Sequence, residues 1–206
     1  SAPGVHPAVV LTPGQSTTTT LTFNAALTDP ETAAYVCLEK TEGLTLPTAE
    51  EILRDGKAIA QTGDILVENL KPSTTYVIAA AVTNTGIYSE VNSIVMATGT
   101  PTPVVTLTAG ATAPTTLTFT VGLADTEKAA YVCLEKADGT PVPTAEKILT
   151  DGTAIAQAGE ITVDNLKDGT TYVIAVAASN KEVYSEVKSI EMATDKDLSG
   201  PAVFDR

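Results

Sequence analysis

The residues of this chain able to do chemistry are few, and most of them recur. Cys37 and Cys133 are potential nucleophiles, but nucleophilic catalysis needs a base and an orienting group within hydrogen-bond reach. The single histidine, His6, sits in a proline-flanked N-terminal segment. Acid–base chemistry by paired carboxylates needs two acids converging in a cleft with separated pKa values. The acids here fall mainly in turns and on the exposed face of a short predicted helix. Asp164-Asn165-Leu166-Lys167-Asp168-Gly169 places three oxygen-bearing side chains in one turn, whereas calcium asks for six to eight oxygens. The matching stretch Glu68-Asn69-Leu70-Lys71-Pro72-Ser73 drops an acid. Asn, Asp and Gly are also what turns require for their own backbone reasons. Arg54-Asp55-Gly56 has the composition of an integrin-recognition loop in a different order, and its arginine is replaced by Thr150 in the second occurrence. The sequence therefore predicts no catalytic, cofactor-binding or metal site, leaves open a weak calcium site near Asp164 and Asp168, and does not reveal a ligand.

Recurrence is the stronger signal. Ala33-Ala34-Tyr35-Val36-Cys37-Leu38-Glu39-Lys40 returns as Ala129-Ala130-Tyr131-Val132-Cys133-Leu134-Glu135-Lys136, a shift of 96 residues. Without a gap, Ala33 to Thr98 matches Ala129 to Thr194 at 44 of 66 positions. A period this long exceeds that of solenoid repeats and matches an independently folding domain. The expected organisation is copy 1 over 1–99, copy 2 over 100–195 and a tail over 196–206. Gly99-Thr100-Pro101-Thr102-Pro103 reads as a semi-rigid, extended linker, which implies two separable unfolding transitions.

Composition bounds the partners. The net charge of −13 is divided as −6 for residues 1–100 and −7 for the rest. So few bases cannot form a basic patch, so nucleic acid and anionic membranes are excluded as partners. No apolar run approaches the ~20 residues that span a bilayer, and Ser1-Ala2-Pro3 is not a signal peptide. The chain reads as a monomeric mature product or an excised fragment. Cys37 and Cys133 occupy equivalent places in separate domains, too far apart for a disulfide, so both are expected to be free.

The elements are short strands between turns. Thr20 to Ala25 and Thr116 to Val121 alternate polar and apolar, the pattern of a strand with one buried face. Ala33 to Leu38 and Thr75 to Val82 are apolar on both faces and must be covered on both. Pro47 to Leu53, ended by Asp55-Gly56, carries helix start and stop signals, and Pro143 to Leu149 repeats them. This helix is predicted to lay Ile52, Leu53 and Ile59 over the strand faces holding Val77, Ala79 and Cys37, with Tyr35 and Tyr131 beneath it and the thiols buried and inert. Strands are predicted at 8–12, 19–27, 33–40, 64–69, 74–83 and 88–97, and again 96 residues on. Ala80 and Val82 become Val176 and Ala178 in the second copy, a reciprocal exchange that conserves volume as a packed core demands.

Asn69-Leu70-Lys71-Pro72-Ser73-Thr74-Thr75-Tyr76-Val77-Ile78-Ala79-Ala80-Ala81-Val82-Thr83-Asn84 resembles the turn and sixth strand of fibronectin type III domains, with Tyr76 and Tyr172 where that family places its tyrosine corner. Tyr88-Ser89-Glu90-Val91 and Tyr184-Ser185-Glu186-Val187 resemble the start of its last strand. The resemblance implies an all-β fold of two sandwiches in tandem. Two departures stand out: the family's core tryptophan is absent, with Ala25 or Val121 in its place, and a helix is inserted after the third strand. With the Tyr-Val-Cys-Leu and Pro-Thr-Ala-Glu segments, that variant resembles surface lipoproteins of gut bacteria described as adhesion proteins. It implies a non-enzymatic spacer or adhesion module at a cell surface, attached through a segment outside this chain, with a protein or glycan as partner. The alternative is an accessory glycan-binding module of a polysaccharide-uptake system, for which Tyr88 and Tyr184 are the aromatic candidates. Phe204 has no counterpart in the first copy.

Overall fold

The computed structural model describes residues 4–200, so positions 201–206 of the expected tail, Phe204 included, and Ser1-Ala2-Pro3 lie outside the described residues. The chain divides into two compact units, Ser1–Thr100 and Pro101–Arg206.

In the first unit the order is β1 (Ala8–Ser16), β2 (Leu21–Thr28), β3 (Thr32–Glu39), α1 (Ala49–Asp55), β4 (Lys57–Ala58), β5 (Gly63–Val67), β6 (Thr75–Asn84), β7 (Ile87–Tyr88) and β8 (Asn92–Ala97). The second repeats it as β9 (Val104–Thr112), β10 (Leu117–Ala124), β11 (Lys128–Glu135), α2 (Ala145–Asp151), β12 (Thr153–Ala154), β13 (Gly159–Val163), β14 (Thr171–Asn180), β15 (Val183–Tyr184) and β16 (Lys188–Ala193). Each unit is a sandwich of two antiparallel sheets. In the first, β1-β2-β5 faces β4-β3-β6, with β7 and β8 both pairing β6.

Between the sheets, Leu21, Phe23 and Ala25 of β2 meet Tyr76, Ile78, Ala80 and Val82 of β6. An edge-to-face pair packs in each inner core: Phe23 and Tyr35 stand 5.2 Å apart at 73°, and Phe119 and Tyr131 repeat it at 5.4 Å. Ala80, Val82, Val176 and Ala178 are all fully buried in the two inner cores, so the reciprocal exchange is the compensation its volumes imply.

The outer face of β3 and β6 is covered by the helix. Ile52 is fully buried against Ala34, Ala79 and Ala81, and Ile148 sits likewise on Ala130, Ala175 and Ala177. Alanines suit this face because a helix can approach their strands closely. Thr48 caps α1 by accepting from the Glu51 N–H while the Glu51 carboxylate accepts from the Thr48 N–H, a reciprocal capping box. In α2, Lys147 replaces that glutamate and pairs with Asp151 instead, at 3.0 Å. The helix exit is close-packed. Gly56 has an ordinary φ of −77°, but a Cβ there would lie 2.4 Å from the Ile52 carbonyl and 2.7 Å from that of Tyr35. Glycine is required by crowding, not by a left-handed backbone.

The structure corrects several expectations. Cys37 and Tyr35 do not lie under the helix. In antiparallel register they oppose Ile78 and Ala80, whose side chains point between the sheets, and directly opposed residues share a face. Tyr35 is buried in the main core and Cys37 is half-buried at its margin. Ile59 also belongs to the inner core. The first strand runs on to Ser16 through an irregularity between Pro13 and Ser16, where a Cβ on Gly14 would lie 2.6 Å from the Thr22 carbonyl. The run 88–97 is interrupted: the Ser89 hydroxyl accepts from the Val82 N–H at 2.8 Å and donates to the Glu90 carbonyl, standing in for a ladder bond to β6 in the gap that separates β7 from β8. Ser185 does the same with Ala178 and Glu186.

The corner tyrosines are in place. The Tyr76 hydroxyl accepts from the Lys71 N–H at 2.9 Å, and Tyr172 from Lys167 at the same distance. Tyr76→Phe or Tyr172→Phe leaves that amide without its acceptor, at a cost of about 1–3 kcal/mol in denaturant unfolding, whereas Tyr88→Phe, with an exposed ring, costs less. Equal stability of Tyr76→Phe and the parent would refute the role. Ile52→Ala opens a cavity beneath α1, and the expected loss is about 2–5 kcal/mol in the same measurement.

Candidate functional site

The sandwich places the reactive residues apart. His6 is exposed before β1, and its backbone N–H donates to Asp29 Oδ2 at 3.1 Å. Asp29 precedes β3, and from Thr32 the strand advances about 16 Å before reaching Cys37, at ~3.3 Å per residue. The two are not brought together. Burial pushes both the Cys37 and the Cys133 thiol above the ordinary cysteine value. Neither cysteine is in a disulfide.

The carboxylates serve local geometry. Glu31 accepts from the Thr85 N–H at 2.7 Å, Asp64 from the Asn24 amide at 2.9 Å, and Glu39 pairs with Lys71 at 3.0 Å. Arg54 and Asp55 bind each other through two hydrogen bonds at the helix end, 3.0 and 2.9 Å. The hydrogen bond, with the guanidinium charge, holds the Asp55 carboxyl below its usual value.

At the turn before β14, Asn165 has φ 60° and Gly169 φ 55°, and the equivalent Asn69 and Ser73 have 61° and 52°. The left-handed backbone accounts for the Asn kept in both copies and for Gly169, while Ser73 takes the same conformation in the first. Asp164 is exposed, and Asp168 Oδ2 accepts from the Asp197 N–H at 3.3 Å. Among the described residues no three His, Cys, Asp or Glu side chains form a group able to hold a metal.

Tyr88 and Tyr184 are displayed, with relative exposures of 49% and 46%. They lie on the two-residue strands β7 and β15, opposite Thr83 and Ser179.

The feature that sequence reading missed is an opening of about 420 Å³ between the sheet margins of the first unit. Cys37 and Leu38 of β3, Gly56 and Lys57 at the helix exit, Leu66 of β5 and Glu68 just after it line it. Leu66 is half-exposed. In the second unit Thr153 and Thr162 replace Lys57 and Leu66. A separate cavity of about 460 Å³ there lies by Lys136 and Glu191, which pair at 2.8 Å. Its counterpart face in the first unit has exposed Val95 in place of Glu191.

No known family profile matches the sequence, and no curated protein is similar to it. The structure is similar to a two-domain fibronectin type III segment of chicken tenascin, at 14% identity and a TM-score of 0.53, over 91% of this chain and 99% of that one. At this identity the likeness speaks for the fold. The chain is all-β: two fibronectin type III-like sandwiches in tandem, each with a short helix inserted after the third strand.

The thiols are half-buried, not sealed, and Cys37 borders open space. Native labelling by a small alkylating reagent is therefore expected to be slower than for a free thiol but complete without denaturant, with a rate–pH midpoint above the ordinary thiol value. The linkage follows: the fold favours the neutral thiol, so this contribution is intact below the unfolded thiol's pKa and lost as pH rises through the folded one. Labelling only after unfolding would show the margin of the sandwich to be closed.

Proposed function

We propose that this chain is a non-enzymatic spacer or adhesion module of a bacterial cell-surface or secreted protein. The observation that carries the reading is what the duplication keeps and what it changes. Both copies retain the tyrosine corner, the bridging serine, the helix over the alanine face and the edge-to-face aromatic pair. The linings of the open cavities differ between them, as Lys57 against Thr153, Leu66 against Thr162 and Val95 against Glu191 show. A site performing one reaction in each domain would hold its chemistry fixed and let the frame drift; here the frame is fixed. Partners are then proteins or glycans met at the cell surface. Among the described residues no helix is long and apolar enough to cross a membrane, so the proposed attachment does not use such a helix among them.

The exposure of Tyr88 and Tyr184 favours a second reading, an accessory glycan-binding module, because flat aromatic rings in water are what sugars stack on. A screen of immobilised polysaccharides separates the two. Binding that is lost in the Tyr88→Ala, Tyr184→Ala double variant selects the glycan module, and absence of binding leaves the spacer.

The spacer reading is tested by pulling the chain end to end. It predicts two separate unfolding events, each releasing roughly 300 Å of contour length for a domain of this size at ~3.5 Å per residue. Antibodies to the folded chain are expected to label intact producing cells. A single event, or labelling only after lysis, would contradict the proposal.

A further inference from the structure

The third strand of each domain is left unfinished on one side. In the first unit, β3 pairs along its whole length with β6, but its other neighbour, β4, meets only Ala34 and Tyr35. Continuing that register would bring Asp55 opposite Cys37, and Asp55 is instead the last residue of α1. The chain that would have completed the sheet has gone to the outer face as a helix.

The ladder fixes which groups remain. The Ile59 N–H donates to the Ala33 carbonyl on the β4 side, and the Lys40 N–H donates to the Thr75 carbonyl on the β6 side. In an antiparallel strand, alternate residues direct both backbone groups to the same side. Ala33, Tyr35, Cys37 and Glu39 therefore all face the edge, and at Cys37 and Glu39 no strand of the fold lies opposite. Among the described residues, two N–H and two C=O groups at strand spacing stand free there, beside the opening of about 420 Å³. The second unit repeats the arrangement, with β12 meeting only Ala130 and Tyr131.

We propose that the β3 edge at Cys37 and Glu39 is a docking site for an extended peptide of a partner protein, added as a strand, with an apolar residue opposite Cys37 and basic residues on either side. Four backbone groups in this spacing are matched by another extended backbone and by little else. The residue opposite Cys37 shares its face and points between the sheets, into the opening beside Val67, which packs against the inner core. Its neighbours point to the opposite face, the one that carries α1. The chain's net charge of −13 repels acidic peptides and attracts basic ones, and it also opposes the approach of a second copy of this chain. The site goes beyond the spacer reading and does not depend on it, since it rests on the sheet edge alone.

The test uses the whole chain and a capped heptapeptide of alternating lysine and valine. The control is the same peptide with alternate backbone nitrogens methylated, which keeps every side chain and removes the donors that would face the edge. Amide hydrogen exchange is followed by NMR at Cys37 and Glu39. The proposal predicts exchange slowed tenfold or more by the first peptide and unchanged by the second, with Cys37 alkylation slowed in parallel. No slowing with either peptide would overturn it, as would equal slowing with both, which would make the contact one of charge only. Protection of the same amides without peptide, growing with protein concentration, would assign the edge to a second copy and overturn it too.

Discussion

A strand that is apolar on both faces cannot rest on the surface of a sandwich, and each domain has two such strands side by side. Val77, Ile78, Ala79, Ala80, Ala81 and Val82 of β6 are all buried, yet the opposing sheet can reach only every second one of them. The remaining face has to be covered by something else. A seven-residue helix does this by inserting Ile52 among three alanines. Much of what is unusual in the fold follows: the reciprocal cap at Thr48, the crowded glycine at the helix exit, and the two-residue fourth strand. Using that stretch of chain as a lid also withdraws it from the sheet, which is why the edge at Cys37 stays open.

Duplication sharpens the distinction between frame and surface. The inner cores exchange Ala and Val at two paired positions without changing their total volume, and the capping box is lost in α2 while the helix remains. Helix formation here depends on burial of one isoleucine more than on any single cap, as expected when tertiary packing supplies most of the stability of a short helix. On the solvent side, charge and apolar character are free to trade. Glu191 with its Lys136 partner and the bare Val95 occupy the same place on the same scaffold.

How far the sequence could be read depended on how local the governing constraint was. The corner tyrosine was legible because its hydroxyl bonds a backbone group five residues away within one turn. The alternating strand β2 was legible because only one of its faces is apolar. Along β3 the alternation disappears, Ala34 and Val36 being as apolar as Tyr35 and Cys37, so composition could not say which face met the helix. The inward placement of Cys37 emerged only from pairing with β6. Gly56 was recognised as a stop, but for conformational freedom it does not use; the close approach of the Tyr35 carbonyl is a tertiary fact. Lys57 and Ala58 are too few to show a period. The break at Ser89 was invisible because one hydroxyl replaces a backbone bond inside an otherwise strand-like run. The open edge had no sequence signature at all, because it consists of backbone groups, which every residue carries.

The covering of the outer face by Ile52 is the claim on which the account turns, and nuclear Overhauser contacts from the isoleucine methyl protons in the folded chain measure it directly. The account predicts strong contacts from the Ile52 methyls to those of Ala34, Ala79 and Ala81, the same set from Ile148 to Ala130, Ala175 and Ala177, and none from either isoleucine to Cys37 or Cys133. Contacts from Ile52 to the Cys37 β-protons, or none to the three alanines, would contradict it.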